Sequence, residues 1–220
     1  MSEGSGIARA RNAGSIEPEP GPRRFTGPRR RGEEVLEAAA SVFAERGFHG
    51  ASTQDIADRL GMRQASLYYY FISKEAALEQ VCQRGIEHII GDTDAIAAGG
   101  GSPMTKLAAI IRRHVEPLNE RSASLRAYLH ERRFLPKEAR RRVGRLARRY
   151  ERIIEGVLEA GIAAGELRPD LDVRVTADAI LGMCNAAAHW PGKEPLGSMQ
   201  PVADGLVGLV LHGIAAPRHS

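Results

Sequence analysis

Apolar residues recur along this chain at spacings of three and four, with polar or glycine-rich breaks between the runs, and that period belongs to helices. Between 31 and 46, Val35, Leu36, Ala39, Ala40 and Phe43 fall on one helical face. Gly47 closes this first helix, and Phe48 is expected to plug the space between it and its neighbours. A short second helix turns Ile56, Ala57 and Leu60 inward and ends at Gly61, where a left-handed backbone is available. A third short helix follows Met62. A fourth begins at Ser73 and is predicted to reach about residue 90 through Ala77, Leu78, Val81, Ile86 and Ile89. Gly99, Gly100, Gly101 and Pro103 read as a connector. They lack the spacing and the preceding strand that a phosphate loop needs. Further helices are predicted over about 102–119, 121–134, 137–164, 173–190 and 199–214. The predicted class is all-α, with about nine helices.

The stretch from Gly47 to Leu78 carries the most information. Ser52 can cap the second helix by accepting from an orphan amide, and Asp55, three residues on, favours the positive helix end. Two short helices joined by a tight turn form a helix-turn-helix pattern. The exposed side of the second of these carries Arg63, Gln64, Ser66, Tyr68 and Tyr69, polar and aromatic groups suited to a major groove. Tyr68, Tyr69, Tyr70 and Phe71 are consecutive, and neighbours on a helix point about 100° apart, so one core cannot take all four. Leu67 and Phe71 fit the core face. Tyr68 then points outward, with a hydroxyl for phosphate and a ring for a thymine methyl.

Charge sharpens this reading only locally. The net charge is +4, yet basic residues cluster. Residues 1–30 are rich in Gly, Pro, Ser, Arg and Glu with no apolar period, so they are expected to be disordered. Their end, with Arg23, Arg24, Arg29, Arg30 and Arg31, reads either as a solvated tail or as an arm reaching phosphates or the minor groove. A second cluster covers one face of the helix over 137–164: Arg140, Arg141, Arg142, Arg145, Arg148, Arg149 and Arg152. This is either a solvated face or a source of one or two contacts to a phosphate or carboxylate.

Other chemistry is sparse. Cys82 and Cys184 sit inside helical patterns and read as buried free thiols in a reducing compartment. The histidines and cysteines have no metal-ligand spacing, and no Gly-x-Ser-x-Gly nucleophile turn occurs. No metal, no cofactor and no enzymatic activity are therefore predicted. No run approaches the ~18 apolar residues of a membrane span, and the first residues lack a signal-peptide core, so a cytoplasmic location is expected.

Thr53, Asp55, Ile56, Ala57, Gly61, Met62, Ser66, Leu67, Tyr68, Tyr70, Phe71, Ser73, Lys74, Glu75 and Leu78 keep a fixed spacing that resembles the DNA-binding segment of TetR-type transcriptional regulators. The resemblance implies an N-terminal three-helix helix-turn-helix domain over 31–76. A C-terminal helical effector-binding and dimerisation domain would cover 77–216. It implies base contacts from Arg63, Gln64, Ala65 and Tyr68, with Tyr69 at the same surface, and phosphate contacts from Thr53, Ser66, Tyr70 and Lys74. The last two helices are rich in small and aliphatic residues, which permit close helix approach. In this family such helices form the homodimer seam.

A second run is similar to the ligand domain of a branch responding to fatty-acyl or steroid-derived CoA thioesters. It comprises Tyr150, Glu151, Gly161, Gly165, Glu166, Leu167, Asp170, Leu181, Gly182, Met183, Asn185 and Trp190. Tyr128, Arg149, Met183, Asn185 and Trp190 are the effector-contact candidates. The expected function is a repressor that binds a palindromic double-stranded operator as a dimer and is released by a hydrophobic effector. Two alternatives come from other classes: a protein coating DNA without sequence choice, and an enzyme acting on an acyl thioester. Within the regulator class, a non-CoA drug or metabolite is the alternative effector.

Overall fold

The computed structural model describes Met1 and residues 28–115, 123–187 and 199–215. Most of the N-terminal arm, the join between the fifth and sixth helices, and Trp190 lie outside the described residues. Within them the chain forms nine α-helices and one 3-10 turn. These are α1 (Pro28–Gly50), α2 (Thr53–Arg59), α3 (Gln64–Leu67), α4 (Lys74–Ala98), α5 (Pro103–Val115), α6 (Ala123–Glu131), the 3-10 turn Arg132–Phe134, α7 (Lys137–Ala163), α8 (Val173–Ala187) and α9 (Gln200–Ile214). Among the described residues, the one pairing in extended geometry is an isolated antiparallel bridge between Leu167 and Ala215.

The first helix breaks at Gly47, whose φ of 68° is open to glycine at little steric cost. The turn that follows drives Phe48 into the core, where its ring stacks on Phe134 with centroids 5.8 Å apart. Ser52 then caps α2 through a complete capping box. Its hydroxyl accepts from the Asp55 amide at 3.1 Å, and Asp55 accepts from the Ser52 amide at 2.8 Å. Such a cap is worth about 1 kcal/mol. These Ser52 bonds, and then Arg46, hold the Asp55 carboxyl below its ordinary pKa.

The fourth helix runs two turns past the predicted stop near residue 90. Neither Gly91 nor the polar run after it breaks the helix, because Thr93 is buried and Ile96 packs on the core. The helix ends where the glycine run begins, at Gly99. α4 is the central strut. It packs on α1 at the reader end and on α5, α6 and α7 further along. Its crossing with α6 is close because Gly85 has no side chain; a Cβ there would lie 2.5 Å from the Ser124 carbonyl oxygen. One apolar cluster joins the two halves, from Phe43 and Leu67 through Leu78 and Ile111 to Leu158 and Val210. Cys82 and Cys184 are both buried within it, and burial pushes each thiol up to about 12.

Candidate nucleic-acid interface and internal cavity

The helix expected to read the bases, α3, is short and set down on two buried anchors, Leu67 and Phe71. With those side chains inward, Arg63, Ala65, Ser66, Tyr68 and Tyr69 are exposed. Tyr68 and Tyr69 are 51% and 84% accessible, which is costly for an aromatic that has nothing to meet. α3 ends at Leu67, so the tyrosines stand on the turn after it rather than on the helix proper. Ile72, next along, is 87% exposed, an apolar side chain that no sequence pattern singles out.

The remaining reader candidates are half-buried and already engaged. Gln64 donates its amide to the Thr53 hydroxyl at 2.7 Å, tying α3 to the start of α2. Tyr70 meets the Tyr69 ring edge-on at 5.1 Å. Lys74 departs furthest from its expected part. Its ammonium donates to the Phe48 and Ala51 carbonyls at 2.9 and 3.0 Å and lies 4.3 Å from the Phe48 ring centre. It braces the turn between α1 and α2, with one of its three protons left over.

A cavity of about 620 Å³ opens among α4, α5, α6, α7 and α8. Ile86, Ile89, Leu125, Leu129 and Val143 give it apolar walls. Successive turns of α7 contribute Arg140, Arg141, Arg145 and Arg148 along its side. Arg140 is held by the Arg133 and Leu135 carbonyls, and Arg141 by Glu138. Arg145 and Arg148 have no ion-pair partner among the described residues. The basic face of α7 is therefore divided. Arg142 takes Glu79, holding that carboxyl below its ordinary range, while Arg145 and Arg148 face the cavity unpaired.

Two effector candidates, Tyr128 and Asn185, line this cavity. Arg149 and Met183 do not. Arg149 sits about 100° round from Arg148 and donates to Asp94 of α4 at 2.6 Å. Met183 is half-buried and packs on the core, while Asp178, Leu181, Gly182 and Asn185 form the cavity side of α8.

His114, on α5, is a further cavity residue that no sequence pattern singles out. Its ring is 5% exposed. Nε2 lies 3.1 Å from Asn185 Oδ1, and Nδ1 lies 2.8 Å from the Tyr150 hydroxyl. A carbonyl oxygen only accepts, so Nε2 donates to Asn185 and Nδ1 accepts from Tyr150. Burial lowers the His114 pKa to about 4, so the ring is neutral at pH 7. The signal available in the sequence was a histidine at an otherwise aliphatic position.

A helix-turn-helix module on a helical body with an internal cavity defines the class of ligand-sensing regulators. Residues 35–81 match the profile described as bacterial regulatory proteins, tetR family, and residues 100–214 match the tetracyclin repressor-like C-terminal domain. The chain belongs to the TetR family. The HTH-type transcriptional repressor KstR2 of Mycolicibacterium smegmatis is 31% identical over 190 residues, covering 85% of this chain and 92% of that one. The ketosteroid transcriptional regulator KstR2 of Mycobacterium tuberculosis superposes with a TM-score of 0.73 at 27% identity, over 85% of this chain and 96% of its own. AibR, solved in complex with isovaleryl coenzyme A and operator DNA, superposes with a TM-score of 0.74 at 27% identity, over 81% and 97%. The family and these relatives are regulators, not enzymes. Among the described residues, no helix is long and apolar enough to cross a membrane.

Proposed function

We propose that this protein is a homodimeric transcriptional repressor, working in the cytoplasm, that binds a roughly palindromic operator and is released by a CoA thioester. One observation carries the proposal: an apolar cavity edged by two unpaired arginines, in the same helical body as an exposed reader. Apolar walls suit an acyl group, and Arg145 and Arg148 suit the phosphates of its carrier. KstR2 and AibR support this reading, the first by its repressor name and the second by its bound isovaleryl coenzyme A and operator DNA.

On the DNA side, Arg63 can read guanine and Gln64 adenine by their bidentate geometries, and Ala65, Tyr68 and Tyr69 face the same groove. Thr53, Ser66, Tyr70 and the spare proton of Lys74 serve the phosphates. Two readers, one per protomer, require half-sites about one helical turn apart or a multiple of it. Dimerisation through α8 and α9 is supported by their exposed apolar side chains, Val175 and Leu209.

Release requires that the effector bind better to a state whose readers do not match the operator; equal affinity for both states shifts nothing. α4 is the evident carrier, since Lys74 braces the reader and Ile86 and Ile89 line the cavity on the same helix. The test is operator binding at fixed salt while an acyl-CoA is titrated. The proposal requires operator affinity to fall as the thioester saturates. Unchanged affinity across short, medium and long chains would sink it.

A further inference from the structure

A second, smaller cavity of about 270 Å³ opens where the last turn of α4, the start of α5 and the second half of α7 meet, at the end of α4 away from the reader. It shares no lining residue with the effector cavity. Pro103, Ile153, Val157 and Ala160 give it apolar walls, and its only charged lining groups are two cations, Lys106 and Arg152. Lys106 donates to the Ala97 carbonyl at 2.8 Å, which holds its ammonium against the last turn of α4 and leaves two protons to spare. Arg152 has no hydrogen-bond or ion-pair partner among the described residues. Gly156 lies between Arg152 and Ala160, one helical turn from each. A Cβ there would meet nothing within 4 Å, whereas at Gly161 it would lie 2.6 Å from Leu167. Packing thus requires the glycine at 161 and not the one at 156. A glycine in mid-helix weakens the helix, and what this one does is keep the cavity open.

We propose that this cavity is a second ligand site, separate from the effector cavity, for a small free monocarboxylate with a hydrocarbon body. Two cations with no acid on the same walls call for an anion. The carboxylate accepts from the Arg152 fork and from the spare protons of Lys106, and the apolar walls take the hydrocarbon. At the ~30 Å³ that a water takes in the liquid, the space holds about nine non-hydrogen atoms, close to the size of octanoate and far below that of a CoA thioester. Lys106 joins the bound anion to the final turn of α4, the helix that also braces the reader through Lys74. The effector cavity meets the same helix at Ile86 and Ile89, so the two sites address it at different points. The proposal does not depend on what fills the larger cavity.

The experiment is calorimetric titration of octanoate into the full-length protein at pH 7, with octanol as the uncharged control. Octanoate should bind roughly ten-fold or more tightly than octanol, the worth of one hydrogen bond to a charged group. Gly156→Met fills the cavity and removes a helix-weakening glycine, so it should abolish octanoate binding with the melting temperature unchanged or raised. Arg152→Gln alters one exposed side chain and should weaken octanoate roughly ten-fold while leaving octanol as it was. It carries the test if Gly156→Met lowers the melting temperature. Arg148→Gln, in the larger cavity, should leave octanoate binding intact. Octanoate binding that survives a stable Gly156→Met or an Arg152→Gln variant, or that is lost with Arg148→Gln, places the anion elsewhere and overturns the proposal. So does equal binding of octanol, or no binding of octanoate to the wild-type protein. Each of these results leaves the CoA-thioester reading standing, since that reading is judged by operator release with a thioester.

Discussion

Glu131 accepts a hydrogen bond from the Phe48 amide at 2.7 Å, joining the end of α6 to the turn between α1 and α2. The two residues are 83 apart in sequence. The same end of α6 faces the cavity, because Tyr128 and Arg132 line it and the Arg132 guanidinium lies 4.8 Å from the Tyr128 ring centre. Phe134 continues the link by stacking on Phe48 and meeting His49 edge-on at 4.5 Å. One short segment therefore touches both the cavity and the backbone that carries the reader.

Glu131→Leu should uncouple the two. Operator affinity without effector is expected to change little, whereas the effector's ability to lower it should shrink by about 1 kcal/mol, within the range of mutations along coupling routes. Glu131→Gln keeps an acceptor and should retain most of the coupling. Operator dissociation constants with and without saturating effector decide the matter.

Tyr68→Ala and Gln64→Ala should each cost roughly 1–3 kcal/mol of operator binding at fixed salt and relax the preference at one base pair. Neither should lower thermal stability much, since Tyr68 is half exposed and the Gln64 bond to Thr53 joins part-buried groups. Normal operator binding by both variants would remove them from the reading surface.

Gly85→Ala introduces a methyl where the Ser124 backbone already stands. Overpacking of this kind costs about 2 kcal/mol, which lowers the melting temperature by roughly 4–8 °C in a chain of this size. A calorimetric scan of the variant measures this. An unshifted transition would mean that the α4–α6 crossing opens freely.

His114 makes stability depend on pH. Its folded pKa, about 4, lies below the ordinary 6.5, so the unfolded chain binds the proton first. Its contribution is fully present above pH 6.5 and is lost as pH falls from there towards 4, by about 3 kcal/mol in total. Denaturant titrations at pH 7 and pH 5 should show the loss, and His114→Gln should flatten it.

Leu209 is 64% exposed on α9, an uncomfortable position for a leucine in a monomer. Leu209→Asp should shift the protein to monomers in sedimentation and weaken operator binding, because a single reader loses the second half-site.

Much of the reader was legible in the sequence, because its signals are local. Ser52 and Asp55 are three residues apart, Gly61 follows its helix directly, and Leu67 with Phe71 are one turn apart. The cavity was less legible. Helical phase showed that seven arginines share a face of α7, but which of them meet carboxylates depends on Asp94 and Glu79, contributed by a different helix. That neighbour removes Arg149 from the cavity and leaves Arg145 and Arg148 to it. Lys74 was obscured in the same way, since its partners are backbone carbonyls with no side-chain signature. The length of α4 was missed because Gly91 resembles a stop, while the contacts that hold the helix beyond it are tertiary.

The close crossing at Gly85 has a mechanical consequence. With backbone against backbone and no side chain to deform, α4 has little freedom to slide past α6 there, so a tilt must turn about that point as a fulcrum. The arm towards Lys74 is about 16 Å long and the arm towards Ala98 about 20 Å. The lever is nearly balanced, so a displacement imposed at its far end returns at the Lys74 end in the opposite direction at about four-fifths of its size.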